Sequence, residues 1–225
     1  MSAGDRITGE GGVYSDLWSE RARLYVESDA HREGPDLDLI VHWAAGARTA
    51  LDVATGGGHV ARRLREAGLD VVSCDPAPGM EADLICRAEQ LPFGDASFDV
   101  VATRVAAHHY DDVAKAVEEM ARVTADRVLI VDNLFMGDDV EEAEKLRDPS
   151  HVRNYSDAEW TSFAQSAGLA VEEVRFFEKP IELQPWLDRC GCVGEQAQRA
   201  RELLAHRING AFLRLDRVAI LAVSH

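Results

Sequence analysis

Between Ala50 and Leu64 the chain reads ALDVATGGGHVARRL: an apolar stretch, three glycines, then a helical pattern. That join leaves few folds open. A buried strand has to turn sharply into a helix whose first N–H groups face whatever sits at the turn. Glycine supplies the unusual φ and the close backbone approach such a turn needs. The corner suits a nucleotide, with or without a pyrophosphate.

The rest of the chain repeats the alternation. Short apolar runs predict strands at 49–54, 70–74, 83–86, 98–104 and 127–133, with helices at 58–67 and 111–124 between them. Gly68 ends the first of these helices. Ser156 and Glu159 form a capping box ahead of Trp160 and Phe163, and Gly168 closes that helix. A strand near 170–177, a helix near 195–206 and a strand near 217–223 complete the series. Strands alternating with helices imply an α/β fold with a mostly parallel sheet covered on both faces. Upstream, residues 1–12 read as a flexible tail and 13–46 as a helical cap or lid. In that cap, Leu17, Trp18, Leu24 and Tyr25 suit one helix from Ser15 to Glu27, Gly34-Pro35 breaks it, and a second runs from Asp36 to Ala45. Residues 47–225 are then one core. Trp160, Phe176, Phe177, Trp186 and Phe212 are expected to pack in it.

Charge removes one class of partner. The chain has 24 Lys and Arg against 40 Asp and Glu, a net charge of −16. No basic stripe is available to neutralise a phosphate backbone, so nucleic acid is not the expected substrate. No apolar run approaches membrane-spanning length and MSAGDRITGEGG has no signal-peptide core, so membrane insertion is not expected and the cytoplasm is the expected compartment. Cys190 and Cys192 make a lone C-x-C, too few ligands for zinc, and no metal is expected.

Gly56, Gly58 and Ala61 also fit the G-x-G-x-x-G/A fingerprint of dinucleotide binding, with Asp75 nineteen residues after Gly56. Asp52 argues the other way. A carboxylate beside the turn repels a pyrophosphate and attracts an ammonium group, directly or through water. A phosphate-free adenosine compound with an amino-acid end, S-adenosylmethionine (SAM), fits that preference.

LDVATGGGHVA, VVSCD, RAEQLPFGDASFDVVATRVAAHHYDD and RDPSHVR occur in an order that resembles class I SAM-dependent methyltransferases, most of all the type 11 branch that contains the ubiquinone and menaquinone C-methyltransferases. The resemblance runs from about Tyr25 to Trp186. It implies a Rossmann-like, seven-stranded sheet of order 3-2-1-4-5-7-6, and transfer of a methyl group from SAM to a small molecule, leaving S-adenosylhomocysteine. It also implies site roles. Ala54, Thr55, Gly56 and Gly58 let backbone approach the methionine part, with Asp52 beside them. Asp75, followed by Pro76, accepts both ribose hydroxyls, a charge-assisted pair. Ala88 and Glu89 lie along adenine, and the Arg104 carbonyl meets the ammonium group. Apart from the resemblance, the cap helix with Tyr25, Ser28 and His31 reads either as a packing helix or as a lid whose Tyr25 reaches the carboxylate.

Two departures stand out. Arg87 occupies the position where the family has the acid that receives the adenine amino group, and an Arg side chain cannot accept a hydrogen bond. Only PAPGMEA separates Asp75 from the third strand, where a parallel crossover needs a dozen or more residues. The second crossover helix is therefore expected to be missing, and either the N-terminal helix or a second subunit of a homodimer to cover that edge.

For the chemistry, His108 and His109 follow the fourth strand, where ligands gather in doubly wound sheets. His109 is the preferred base or substrate-positioner, with His108 and His151 as further candidates. His151 and Arg153 lie in a loop able to fold over the same mouth. Alternatives are a SAM-binding enzyme of other chemistry, a NAD-binding oxidoreductase and a silent SAM-binding subunit.

Overall fold

The computed structural model describes residues 15–27 and 32–224. The tail at 1–12, Ser28 and His31 lie outside the described residues. Around the glycine corner, β1 (Thr49–Val53), β2 (Asp70–Asp75), β3 (Leu84–Ile85), β4 (Phe98–Arg104) and β5 (Thr124–Asn133) run parallel. Strands β6 (Leu169–Glu182) and β8 (Phe212–Ser224) close the sheet antiparallel, giving the order β3-β2-β1-β4-β5-β8-β6. A two-residue β7 (Ile208–Asn209) hairpins onto β8. Without that small eighth strand, the order is the expected 3-2-1-4-5-7-6.

Alternation along the strands divides two cores. Leu51, Val53, Val101, Val128 and Ile130 point to one face and meet α4 (Val113–Val123) and α6 (Asp157–Ser166). Ala50, Val100, Ala102, Leu129 and Val131 point to the other and meet α2 (Pro35–Trp43) and α3 (His59–Glu66). Helix α4 shows why this works locally: Val113, Ala116, Val117, Met120 and Val123 fall on one stripe, and Asp112 caps its N-terminus through the Lys115 N–H. The capping box of α6 is formed as expected.

Three features differ from the expectation. Strands β6 and β8 extend well beyond the predicted ends, and α5 (Asp138–Arg147) and α7 (Leu183–Asp188) were not foreseen. With α8 (Gly194–Leu203) they build a third cluster on the extended strand ends, around Val140, Trp186, Leu187 and Leu213. Helix α5 escapes a periodicity reading because two positions of its buried face are Glu141 and Glu144. Finally, Phe176 and Phe212, expected in the core, are exposed, whereas Trp160 and Trp186 are buried.

The second crossover helix is absent, and a single 3₁₀ turn, Pro78–Met80, joins β2 to β3. Helix α1 (Ser15–Val26) packs on that turn: the Gly79 N–H donates to Ser19 Oγ at 3.0 Å. A Cβ on Gly79 would lie 2.7 Å from the Ser19 backbone, so the close approach needs glycine. Gly79→Ala is therefore expected to push α1 off the turn, and cleavage by a protease within 15–27 to become several-fold faster. An unchanged cleavage rate means α1 is not held there.

Candidate active site

The C-terminal ends of β1, β2 and β4 open on a cavity of about 260 Å³ roofed by α1. The chain leaves β1 and β4 through left-handed residues, Ala54 (φ +54°) and Val105 (φ +55°), and both line the cavity. For a β-branched residue such as Val105 this backbone is a true outlier, the kind of strain that gathers at functional sites. Gly56 and Gly58 also have positive φ in the turn between. Gly57, which lacks it, has no room for a side chain: a Cβ there meets His59 Nε2 at 2.8 Å and the Tyr25 carbonyl at 3.1 Å.

Asp52 and Asp75 face the cavity from adjacent strands, nearly without solvent contact. Asp52 Oδ2 accepts from Thr55 Oγ1 at 2.5 Å and from the Ala61 N–H at 2.9 Å. The strand-ending acid thus caps the first turn of α3, whose own N-cap, Gly58, has no side chain to do so. Asp75 accepts from the Gly56 N–H at 3.0 Å and the Ala77 N–H at 2.9 Å. Burial pushes both carboxyls up to about 6, against the pull of these hydrogen bonds. Among the described residues neither forms a salt bridge, although each retains acceptor capacity. Among the described residues the site therefore holds two buried carboxylates without an ion pair, Arg104 acting on Asp52 only at longer range.

At one end of the cavity Ala88 and Glu89 lie beside Arg87 and Asp111. Arg87 forms ion pairs with Glu89 and Asp111, and Glu89 Oε1 also accepts from the Asp111 N–H. Position 87 is thus a cation clamped between two acids, and Asp111 brings to this end an acid the sequence reading missed. Arg104 lines the cavity, while its guanidinium turns to Asp36 at 2.8 Å, an acid shared with Arg217 at 3.0 Å.

At the other end stand Trp18, His109, Ser150 and Val152. The Ser150 carbonyl accepts from His109 Nδ1 at 3.0 Å, which leaves Nε2 as the unprotonated nitrogen. Burial, aided by the charge of His108, drops the His109 pKa to about 3. It is a neutral imidazole, suited to accept a hydrogen bond rather than to take a proton. Ser150 Oγ donates to Asp148 and accepts from Trp18 Nε1 at 3.1 Å, so α1 and the 148–152 loop are latched together. A second latch joins Arg21 to the Cys190 carbonyl at 2.8 Å, and a third carries the His59 Nε2–H to the Tyr25 carbonyl at 3.2 Å. Tyr25 itself lines the cavity, and burial lifts its phenol to about 12, so it is an O–H donor at neutral pH.

Of the residues singled out from sequence, Tyr25, Asp52, Ala54, Thr55, Gly56, Asp75, Pro76, Ala88, Glu89, Arg104 and His109 line this one cavity. Three do not. Gly58 serves the turn as N-cap of α3. His108 is buried behind His109, its Nδ1 2.5 Å from Asp132, and its carbonyl accepts from the Val152 N–H at 2.9 Å. His151 is buried against Glu141 and Glu144. These two histidines shape the loop and stand back from the mouth. Arg153 pairs with Glu159 at the surface. Trp18, by contrast, was missed as a lining residue although it lies seven residues from Tyr25, on the same helix face.

Comparison with known proteins identifies the family and the fold. Residues 51–131 match the family model described as a methyltransferase domain. The chain is 32% identical over 213 residues to the uncharacterized methyltransferase YcgJ of Bacillus subtilis (strain 168), covering 84% of this chain and 83% of that one. The solved structure of YcgJ superposes with a TM-score of 0.75 at 28% identity, over 84% of this chain and 98% of that one. A demethylmenaquinone methyltransferase of Beutenbergia cavernae is 37% identical over 94 residues, 36% of this chain and 39% of that one. A geranyl diphosphate methyltransferase solved with GPP and sinefungin shares the fold alone, with a TM-score of 0.63 at 15% identity over 91% of this chain and 82% of that one.

Proposed function

Because this chain belongs to the SAM-dependent methyltransferase family, we propose that the cavity under α1 binds SAM and that the chain transfers its methyl group to a small, uncharged acceptor at the Trp18–His109 end. The observation that carries this reading is the pair of buried carboxylates that form no salt bridge among the described residues, Asp52 and Asp75. A pyrophosphate beside Asp52 would add repulsion to a carboxylate already raised by burial, so a NAD-binding oxidoreductase is disfavoured. A cationic amino-acid end relieves it. Asp75 then takes the ribose hydroxyls, Tyr25 donates to the ligand carboxylate, and Glu89 with Asp111 offers the acceptors that Arg87 cannot. Gly57 lets the Tyr25 carbonyl of α1 and the His59 ring close on the turn, where a Cβ would meet both.

SAM supplies a methyl group on a positive sulfur that is already a good leaving group. The chain has to align the acceptor and keep water out. Neutral His109 suits the first task, holding an acceptor O–H or N–H by its free nitrogen. Helix α1, latched through Trp18 and Arg21, suits the second. A roofed cavity of about 260 Å³ and a net charge of −16 favour a small molecule over nucleic acid. Among the described residues no helix is long and apolar enough to cross a membrane. All four cysteines are free thiols, which supports a cytoplasmic setting. Helix α1 packs on the turn between β2 and β3, so a homodimer covering this side of the sheet would pair on the β3 edge. Sedimentation as a monomer would remove it.

The test is calorimetry with SAM, S-adenosylhomocysteine and NADH, then S-adenosylhomocysteine release in the presence of candidate acceptors. Binding of NADH without SAM defeats the proposal. SAM binding without release in any acceptor panel assigns other chemistry to the same cavity. In a turnover assay, His109→Ala is expected to lower kcat about tenfold, the value of one lost hydrogen bond, and to leave the SAM Kd within about twofold. A pH–rate profile with a His109 ionisation near neutrality would instead make it a base.

A further inference from the structure

The acidic face of α5 has a counterpart that methyl transfer does not use. Glu141 and Glu144, one turn apart, are both buried, and the loop after α5 lays His151 and Asn154 against them. His151 Nε2 lies 3.2 Å from Glu141 Oε2, and its Nδ1 lies 3.5 Å from Glu144 Oε2. One ligand atom from each of the three residues lies within 4.8 Å of the others. The salt bridges of the two glutamates within the described residues are to this one imidazole, so the buried cluster has more acid than base.

Asn154 is an independent sign. Its side chain is wholly buried and its amide abuts the cluster, Nδ2 donating to Glu144 Oε2 at 2.5 Å. Its Oδ1 is buried with no hydrogen-bond partner among the described residues. A buried, unsatisfied amide oxygen is rare in native proteins and calls for a water or an ion.

We propose that Glu141, Glu144, His151 and the Asn154 amide oxygen form a closed binding site for one first-row divalent cation of the Zn²⁺ or Mn²⁺ type. Two carboxylates, one imidazole and one amide oxygen suit these metals. Ca²⁺ asks for six or more oxygens, and a thiolate-seeking metal finds no sulfur in the set. Ligands held about 2.1 Å from one ion lie roughly 3–4 Å apart, so Glu141, Glu144 and His151 need only a rotamer-scale contraction, while the Asn154 amide, whose Nδ2 now faces Glu144, turns over to present Oδ1. With every ligand buried, the cation has no open position for substrate. Its effect is mechanical: it ties α5 to the loop whose Ser150 holds both His109 and Trp18. The site stands whether or not the cavity above it binds SAM.

The test uses the untagged full chain, stripped with a chelator and passed through a desalting column. Zn²⁺ or Mn²⁺ is then titrated, with bound metal measured by mass spectrometry and stability by thermal unfolding. The expected result is about one equivalent retained and a Tm rise of roughly 5–10 °C when the metal exceeds Kd a hundredfold. Glu144→Gln and Asn154→Ala should each remove the rise, while replacing both Cys190 and Cys192 by Ser should keep it. Less than about a tenth of an equivalent with an unchanged Tm would make the cluster a closed ion pair and end the proposal. So would metal retained by Glu144→Gln and lost from the cysteine variant. The wild-type titration decides whether a cation binds even where a variant fails to fold.

Discussion

Asp75→Asn is expected to weaken SAM binding on the order of a hundredfold while leaving the ligand-free Tm within a few degrees. Each carboxylate oxygen already accepts one backbone N–H, from Gly56 and from Ala77, and has a lone pair left for a ribose hydroxyl. Hydrogen bonds to a charged acceptor contribute about 1.5–3 kcal/mol each. Asparagine keeps one oxygen, so one such bond to ribose is lost outright and the other loses its charge assistance. For the ligand-free chain two effects oppose. The Asn NH₂ is set against one of the two backbone N–H groups, which costs stability. Removal of a buried carboxylate whose pKa stands at about 6 returns it. Calorimetric titration and thermal unfolding of the same preparation check both halves. A variant that binds SAM normally removes Asp75 from the ribose; one that unfolds makes it a structural residue of the turn.

The second large effect is one of pH. In the ligand-free chain Asp52 and Asp75 are both raised to about 6. Folding therefore binds a proton at each more tightly than the unfolded chain does, from an ordinary value of 3.8. Their contribution to ligand-free stability is present at low pH and lost as pH rises through 6. A cationic, hydroxyl-donating ligand needs the opposite, both groups ionised. At pH 5 a group of pKa about 6 is ionised in roughly one molecule in eleven. SAM affinity is thus expected to fall about tenfold for each group, near a hundredfold together, between pH 7.5 and pH 5. The ligand-induced rise in Tm should shrink over the same range. The ligand-free Tm is a poorer probe, because neutral His109, with a pKa near 3, destabilises the fold as pH falls below 6.5. An affinity unchanged between these two pH values would mean that the carboxylates do not meet the ligand.

Both effects come from one arrangement. Strand β1 brings Asp52 to the mouth of the sheet, and the turn that follows takes up part of its charge through Ala61 and Thr55. What is left is a carboxylate that is costly until a cation arrives. Under the proposed function the same residue caps α3 through Oδ2 and meets the ligand, so a fold-stabilising contact and a recognition contact would share one carboxylate. Asp52→Ala should therefore damage folding and binding together, which makes Asp75 the cleaner probe.

The local sequence determined the strand–turn–helix corner, the parallel alternation, the capping box at Ser156 and the missing crossover after Asp75. Each depends on residues within a few positions of one another: apolar period, glycine, cap, or a connection too short for a helix. For the same reason Asp52, Thr55, Gly56 and Asp75, all within two strand ends, were legible as one group. Tertiary structure alone decided the rest. Three candidates, His108, His109 and His151, look alike in sequence, yet docking of the 148–152 loop on the segment after β4, through the His108 carbonyl, leaves only His109 of the three at the cavity. Val105 has its strained backbone, and α5 its buried glutamates, because distant segments hold them so. Trp18 and Ser150 meet across 132 positions. Burial and charge pairing arise from contacts between segments far apart in the chain, and a pattern of neighbours does not encode which of those contacts will form.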